Sequence, residues 1–262
     1  MNICLVCVTY NGQDRVSRML RSLPNPNLAE KYLDGGPDHI VVYSDGANPP
    51  CLDSLEISYK LRCIDGGDNR GVVEAYNRVL VGFSHKISFF RDFIDEAWIL
   101  LVDDDVVLPP KFFYVLRTLI STLGDCVLSW KSTTNPPEVR GVIELATELA
   151  GYTFAFPYKF FSQLDLGGKG AFDSENFHHY CGDSDFARRV MRDLHRPCYR
   201  VHYPLVIHEE HAAVRDNPEL LGSEWAVQDR WNYKKKWADV KERDLIRSLL
   251  NGTLLDQKEG SL

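Results

Sequence analysis

Val102-Asp103-Asp104-Asp105-Val106 sets three carboxylates side by side, directly after the apolar run Trp98–Val102. Crowded like charges repel and raise one another's pKa. The cluster is therefore cheap only if it splays into water or closes on a cation. In an extended segment residues i and i+2 share a face, which turns Asp103 and Asp105 together and Asp104 away. Two hard oxygen ligands suit Mg2+ or Mn2+, ions that keep waters and bind substrate phosphates as well. One aspartate would serve as acidic cap for a helix opening near Pro109; three exceed that need. A second pair, Asp183 and Asp185, opens a later helix, where N-capping is the plain role. His208-Glu209-Glu210-His211 sets two imidazoles beside two carboxylates, and a lone histidine is more often structural.

The elements that must position these groups follow from periodicity. Ile3–Thr9 is a β-branched apolar run ending at Tyr10-Asn11-Gly12, a buried strand entering a turn. Val16, Met19, Leu20 and Leu23 recur at helical spacing, with Arg15, Arg18 and Arg21 predicted on the surface, and Pro24 and Pro26 stop this helix. Strands are predicted at Asp38–Tyr43, Tyr59–Ile64 and Trp98–Val102, and helices at Val72–Val81 and after Pro109-Pro110. This order predicts an α/β sheet with parallel neighbours. Ligands in such sheets gather beyond the carboxyl ends of the strands, where Thr9–Gly12, Ser44–Ala47 and Asp103–Asp105 fall. After Leu123 the pattern loosens; Val127–Trp130, Arg140–Leu145 and Tyr199–Ile207 read as strands and Asp183–Leu194 as a helix.

Several of these segments together resemble the family 2 glycosyltransferases, which have the GT-A fold: Rossmann-like, with a mostly parallel sheet flanked by helices. Cys7-Val8-Thr9-Tyr10-Asn11-Gly12 is similar to the family's opening strand and loop. Val41–Ala47 resembles its V-D-D-G-S strand end, and Asn69-Arg70-Gly71 with Ala75-Tyr76-Asn77 its N-x-G…A-x-N helix. Trp98–Pro109 resembles its D-x-D strand. Ala171-Phe172-Asp173 with Tyr180–Arg189 resembles its G-F-D-E…Y-G-E-D-x-D-L-x-x-R segment. Order and spacing agree from residue 3 to about 208.

The resemblance implies a metal-dependent, inverting transfer of a hexosyl or deoxyhexosyl group from a UDP-, dTDP- or GDP-sugar to a hydroxyl acceptor. Thr9, Tyr10, Asn11, Asp45, Arg70, Asp103 and Asp104 would bind the donor. Asp105, Asp103 and His208 would hold Mn2+ or Mg2+, with His211 competing for the last place. Asp183 would be the base, and Asp185, His211 and Trp225 would face the acceptor. Ser44 and Gly182 depart from the family pattern, which leaves Asp45 alone to read the base and weakens inference about the acceptor.

Basic residues number 30 and acidic ones 37, a formal charge of −7, so the chain is not built to coat a phosphate backbone nonspecifically. With 44% hydrophobic and 26% charged residues it has globular composition, which excludes a disordered, collagenous or coiled-coil chain. Its seven cysteines are too sparse for a disulfide scaffold, and Cys4-x-x-Cys7 reads as buried free thiols. Neither a signal peptide nor a membrane-spanning run is predicted, which points to the cytoplasm with peripheral membrane contact left open. A glycosyltransferase domain is predicted over 1–222, about 1–125 for the nucleotide-sugar half and about 126–222 for the acceptor half, with a helical extension over 223–262. In that extension Trp225, Trp231, Tyr233 and Trp237 interleave with Lys234, Lys235 and Lys236. They could stack on sugars, lean on an anionic membrane, follow a single strand of nucleic acid, or simply pack the helix on the core. A saccharide or glycan is the default acceptor; modified nucleic acid and protein are the alternatives. His178 and His179 read as surface residues.

Three other classes compete. A nucleotidyltransferase would show a glycine-rich, Arg/Lys-containing loop after the first strand, which Thr9–Gly12 does not supply. Asp103–Val107 satisfies the D-x-D-x-[TV] signature of haloacid-dehalogenase-type phosphatases, but those carry it on their first strand, and here three predicted strands precede it. A non-catalytic nucleotide-sugar-binding module would be expected to have lost Asp105 or Asp183, and both are present.

Overall fold

The fold, taken from a computed structural model, is described for residues 2–25, 35–46, 50–52, 59–85, 96–134, 142–209, 216 and 224–249. Strands β1 (Asn2–Thr9), β2 (His39–Ser44), β3 (Lys60–Asp65) and β4 (Ala97–Asp103) lie side by side in the order β3-β2-β1-β4, all parallel. Helices α1 (Gln13–Arg21) and α2 (Val72–His85) follow β1 and β3 in the chain. β1 and β4 are near-continuous apolar runs because both their faces are covered. Cys4, Val6, Val8, Ile99 and Leu101 join the core packed against α2, while Ile3, Leu5, Cys7, Leu100 and Val102 join the core packed against α1. The same alternation puts Cys4 and Cys7 on opposite faces, both buried and free, so the C-x-x-C does not close on one ion.

The later strands are β5 (Val106–Val107), β6 (Val127–Ser132), β7 (Ile143–Leu145), β8 (Thr153–Pro157) and β9 (Cys198–His208). The later helices are α3 (Phe112–Leu123), α4 (Tyr158–Gln163), α5 (Gly182–Asp193) and α6 (Trp225–Lys236). Beyond β4 the sheet becomes mixed: β8 lies antiparallel between β4 and β6, β6 pairs parallel with β9, and β5 and β7 pair antiparallel with β9. Nothing in the sequence pattern marks β8. Thr153-Phe154-Ala155-Phe156 is buried on both faces, so it shows no alternation and is too short to separate from a helical fragment.

One surface expectation is overturned. Arg15 is only 3% exposed, because its guanidinium forks onto the buried Asp104: Nε reaches Oδ1 and Nη2 reaches Oδ2, each at 3.1 Å. A bidentate pair of this kind offsets the desolvation of both partners. At the C-terminal end, Trp237, Leu245 and Leu249 belong to the same core as α5 and β8, while Trp231 stays 55% exposed with Lys235 Nζ 4.9 Å from its ring centre. No helix among the described residues is long and apolar enough to cross a membrane.

Candidate active site

β4 leaves the sheet at Asp103, turns through 104–105, and re-enters as β5. Pairing of β5 with β9 sets Val106 opposite His208, and Glu209 N–H donates to the Asp105 carbonyl at 3.1 Å. This carries His208 to the carboxylate cluster. One ligand atom from each of Asp103, Asp105 and His208 lies within 4.8 Å of the others. His208 Nε2 is 3.3 Å from Asp105 Oδ1, and the imidazole stacks on Tyr152 with ring centres 4.3 Å apart. Tyr76 Oη donates to Asp103 Oδ1 at 3.2 Å. Asp105 Oδ1 is buried and accepts no hydrogen bond among the described residues. An orphaned buried carboxylate oxygen beside a second carboxylate and an imidazole is a donor set that fits a hard divalent cation. Burial, and then the neighbouring Asp105, push the Asp103 carboxyl well above the ordinary range, which is the cost a bound cation would remove.

Asp104 turns the other way, into the core side of the turn. It accepts from Thr9 Oγ1 at 2.5 Å as well as from Arg15. Thr9 is 1% and Asp104 6% exposed, so both side chains are consumed in a buried bracket that positions the loop. Gly12 completes the bracket: a Cβ there would collide with Asp104, Thr9 and Arg15.

Asp45 follows β2, its N–H donating to the Thr9 carbonyl at 2.8 Å. Its carboxylate accepts the N–H groups of Arg70 at 3.3 Å and Gly71 at 3.0 Å. Burial outweighs these two bonds and raises the carboxyl to about 6. A Cβ at Gly46 would press on Asn11 and the Tyr10 ring. Tyr10-Asn11, Asp45-Gly46 and Asn69-Arg70-Gly71 thus converge past the ends of β1, β2 and β3, with the Arg70 side chain half-exposed beside Asp68. Gly71 has φ +90°, and a Cβ would stand 2.6 Å from the His178 carbonyl oxygen. Gly71→Ala is expected to cost about 1–3 kcal/mol and to lower Tm in a melting experiment; an unchanged Tm would contradict this loop geometry.

Asp183 lies in the first turn of α5, after Cys181 at φ +64°. Burial raises its carboxyl to about 6, opposed by its own and the Ser184 backbone N–H groups and aided by Glu148. Gly151 packs under it, a Cβ there standing 2.8 Å from Asp183 Oδ2. The Tyr76 phenol is held far up by burial and by Asp103. Asp185 is fully buried: Arg189 and Lys236 pair with it at 2.9 and 2.8 Å, and Trp237 Nε1 donates to it at 2.9 Å. These contacts tie α6 to α5 through Asp185. Trp225 stacks on His178 and His179, ring centres 5.4 and 4.9 Å away, which half-buries two histidines expected at the surface. His211 lies outside the described residues. Sequence reasoning passes over Arg15, whose spacing matches a solvent face, and Asp229, a lone acid in a basic, aromatic stretch.

The fold is that of the GT-A glycosyltransferases. No family model matches the chain, and no curated protein matches it in sequence. Among solved structures it is similar to S. aureus TarS 1-349, at 14% identity and TM-score 0.54 over 97% of this chain and 71% of that one. The same fragment in complex with UDP-GlcNAc gives 13% and 0.55, over 97% and 72%. GalNAc-T7 with UDP, GalNAc and Mn2+ gives 13% and 0.55, over 79% of this chain and 44% of that one.

Proposed function

We propose that the chain is a metal-dependent inverting glycosyltransferase that moves a hexosyl or deoxyhexosyl group from a nucleotide-diphosphate sugar to a hydroxyl of a saccharide or glycan. The observation that carries this reading is the convergence of Asp103, Asp105 and His208 at the carboxyl end of β4. UDP as the nucleotide is supported by the UDP complexes of the similar structures.

Asp103, Asp105 and His208 would hold Mn2+ or Mg2+, which when bound neutralises charge developing on the departing diphosphate. Tyr10, Asn11, Asp45 and Arg70 would grip the nucleotide, with Arg15, Thr9 and Asp104 fixing the loop that presents Tyr10 and Asn11. Asp183 would accept the proton of the acceptor hydroxyl as its oxygen bonds to the anomeric carbon and the bond to the diphosphate oxygen breaks. Attack from the face opposite the leaving group inverts that carbon. A carboxyl raised to about 6 suits a general base, being mostly ionised at neutral pH yet more basic than an ordinary aspartate.

A thermal-shift panel of UDP-, dTDP- and GDP-sugars, with and without Mn2+, tests the reading. Stabilisation by one donor class only in the presence of the ion is expected; the absence of any metal-dependent stabilisation would count against it.

A further inference from the structure

Asp229, in the middle of α6, is a fully buried carboxylate that the proposed chemistry does not use. Burying a charge is costly unless it is hydrogen-bonded, and here the backbone of one loop supplies the bonds. His178 N–H donates to both oxygens at 3.1 Å, and His179 and Tyr180 N–H donate to Oδ2 at 2.9 and 2.8 Å. Three consecutive amides converge on a single side chain from an element about fifty residues later in the chain. The other side of the loop is also held: the His178 carbonyl accepts Val73 N–H at 3.2 Å and abuts Gly71. Directly after this clamp Cys181 takes φ +64° and α5 begins.

α5 has no side-chain hydrogen bond at its N-cap. Its later turns are fixed by Phe186 and Val190 in the core. Its first turn carries both Asp183 and Asp185; Asp185 is anchored by Arg189, Lys236 and Trp237, and the entry to the turn, ahead of Asp183, is set by the clamped loop. We infer that Asp229 is a positioning residue for Asp183: by clamping 178–180 against the N-terminus of α2, it sets the base relative to the donor loop at 69–71. This rests on the reading of Asp183 as the base. Asp45 holds the far side of the same donor loop through the Arg70 and Gly71 N–H groups. Hydrogen bonds thus run from the Asp45 carboxylate, through the donor loop and the clamped amides, to the Asp229 carboxylate in α6.

The test compares Asp229→Asn with Asn232→Ala in the full chain. Asn232 also ties α6 to this region, its Nδ2 donating to the Asn176 carbonyl at 2.7 Å, but it touches none of the three clamped amides. Asp229→Asn is expected to speed amide hydrogen exchange at 178–180 at least about tenfold, to leave the donor KM within about twofold, and to lower kcat by about 10- to 100-fold, the usual consequence of misplacing a reacting group by an ångström. Asn232→Ala is expected to leave kcat within about twofold, as a tie remote from the reacting group should. An Asp229→Asn enzyme with normal kcat overturns the inference, as does an equal loss in Asn232→Ala, which would make the docking of α6 the determinant. So does a loss no larger than the unfolded fraction measured by circular dichroism. If the unsubstituted chain transfers no sugar from any donor, the reading of Asp183 falls first and this inference falls with it. Transfer by the unsubstituted chain with an indifferent Asp229→Asn sinks the inference alone.

Discussion

Asp105→Ala is expected to abolish metal-dependent donor binding and to lower sugar transfer by on the order of a thousandfold, about 4 kcal/mol of transition-state stabilisation. The Asp105 Oδ1 atom is 3.3 Å from His208 and forms no hydrogen bond among the described residues. No neighbouring acceptor is thereby freed to take its place. A donor at about 100 times its Kd stabilises a fold by ~2.7 kcal/mol, which for a chain of this size is a Tm rise of about 5–10 °C. That rise should vanish in the variant while the ligand-free Tm barely moves, since the deletion also removes carboxylate crowding around Asp103. Asp104→Ala should behave in the opposite way. It removes the buried bidentate partner of Arg15 and leaves the guanidinium only Asp216 and the Tyr10 carbonyl, so ligand-free stability falls while the cation ligands remain. Calorimetric titration of Mn2+ with donor present separates the two, and equal Mn2+ affinity in Asp105→Ala and the unsubstituted chain would refute the metal assignment.

Asp183→Asn should keep donor binding and lose transfer by about 10²–10⁴-fold, the range a general base contributes. The pH profile supplies an independent check. Only the ionised carboxylate accepts a proton, and burial holds this carboxyl up to about 6. Activity should therefore fall as pH drops through about 6, rather than through the range near ~4 where an exposed aspartate titrates. Asp45 titrates in the same window, but its protonation weakens its hold on the Arg70 and Gly71 N–H groups. It should therefore appear in the donor KM, whereas Asp183 should appear in kcat. A kcat that stays flat between about pH 7 and 5, or an Asp183→Asn enzyme with normal turnover, would remove Asp183 from the chemistry.

Asp103 and Asp105 are legible as a pair and Asp104 as their outlier on an extended reading of the segment, although 104–105 form the turn between β4 and β5. The buried strands β1, β2 and β4 are legible as continuous apolar runs that stop at polar turn residues. Local periodicity says which side of an element is wet and where the element stops. It is silent on what an inward-facing polar group will meet. Arg15 reads as surface because its partner is 89 residues away. Asp185 reads as facing an acceptor because Trp237 and Lys236 reach it from far along the chain, Trp237 from 52 residues on. β8 enters the sheet without any pattern of its own. His208 joins the aspartates only through the two-residue pairing of β5 with β9. The sequence by itself determined the parallel half of the sheet, the loops at its edge and the residue types offered there. Tertiary structure alone decided which partners the buried polar side chains meet, as for Thr9, Asp104, Asp185 and Asp229. A buried charge must find its partner in three dimensions, and a hydrogen bond carries no memory of distance along the chain.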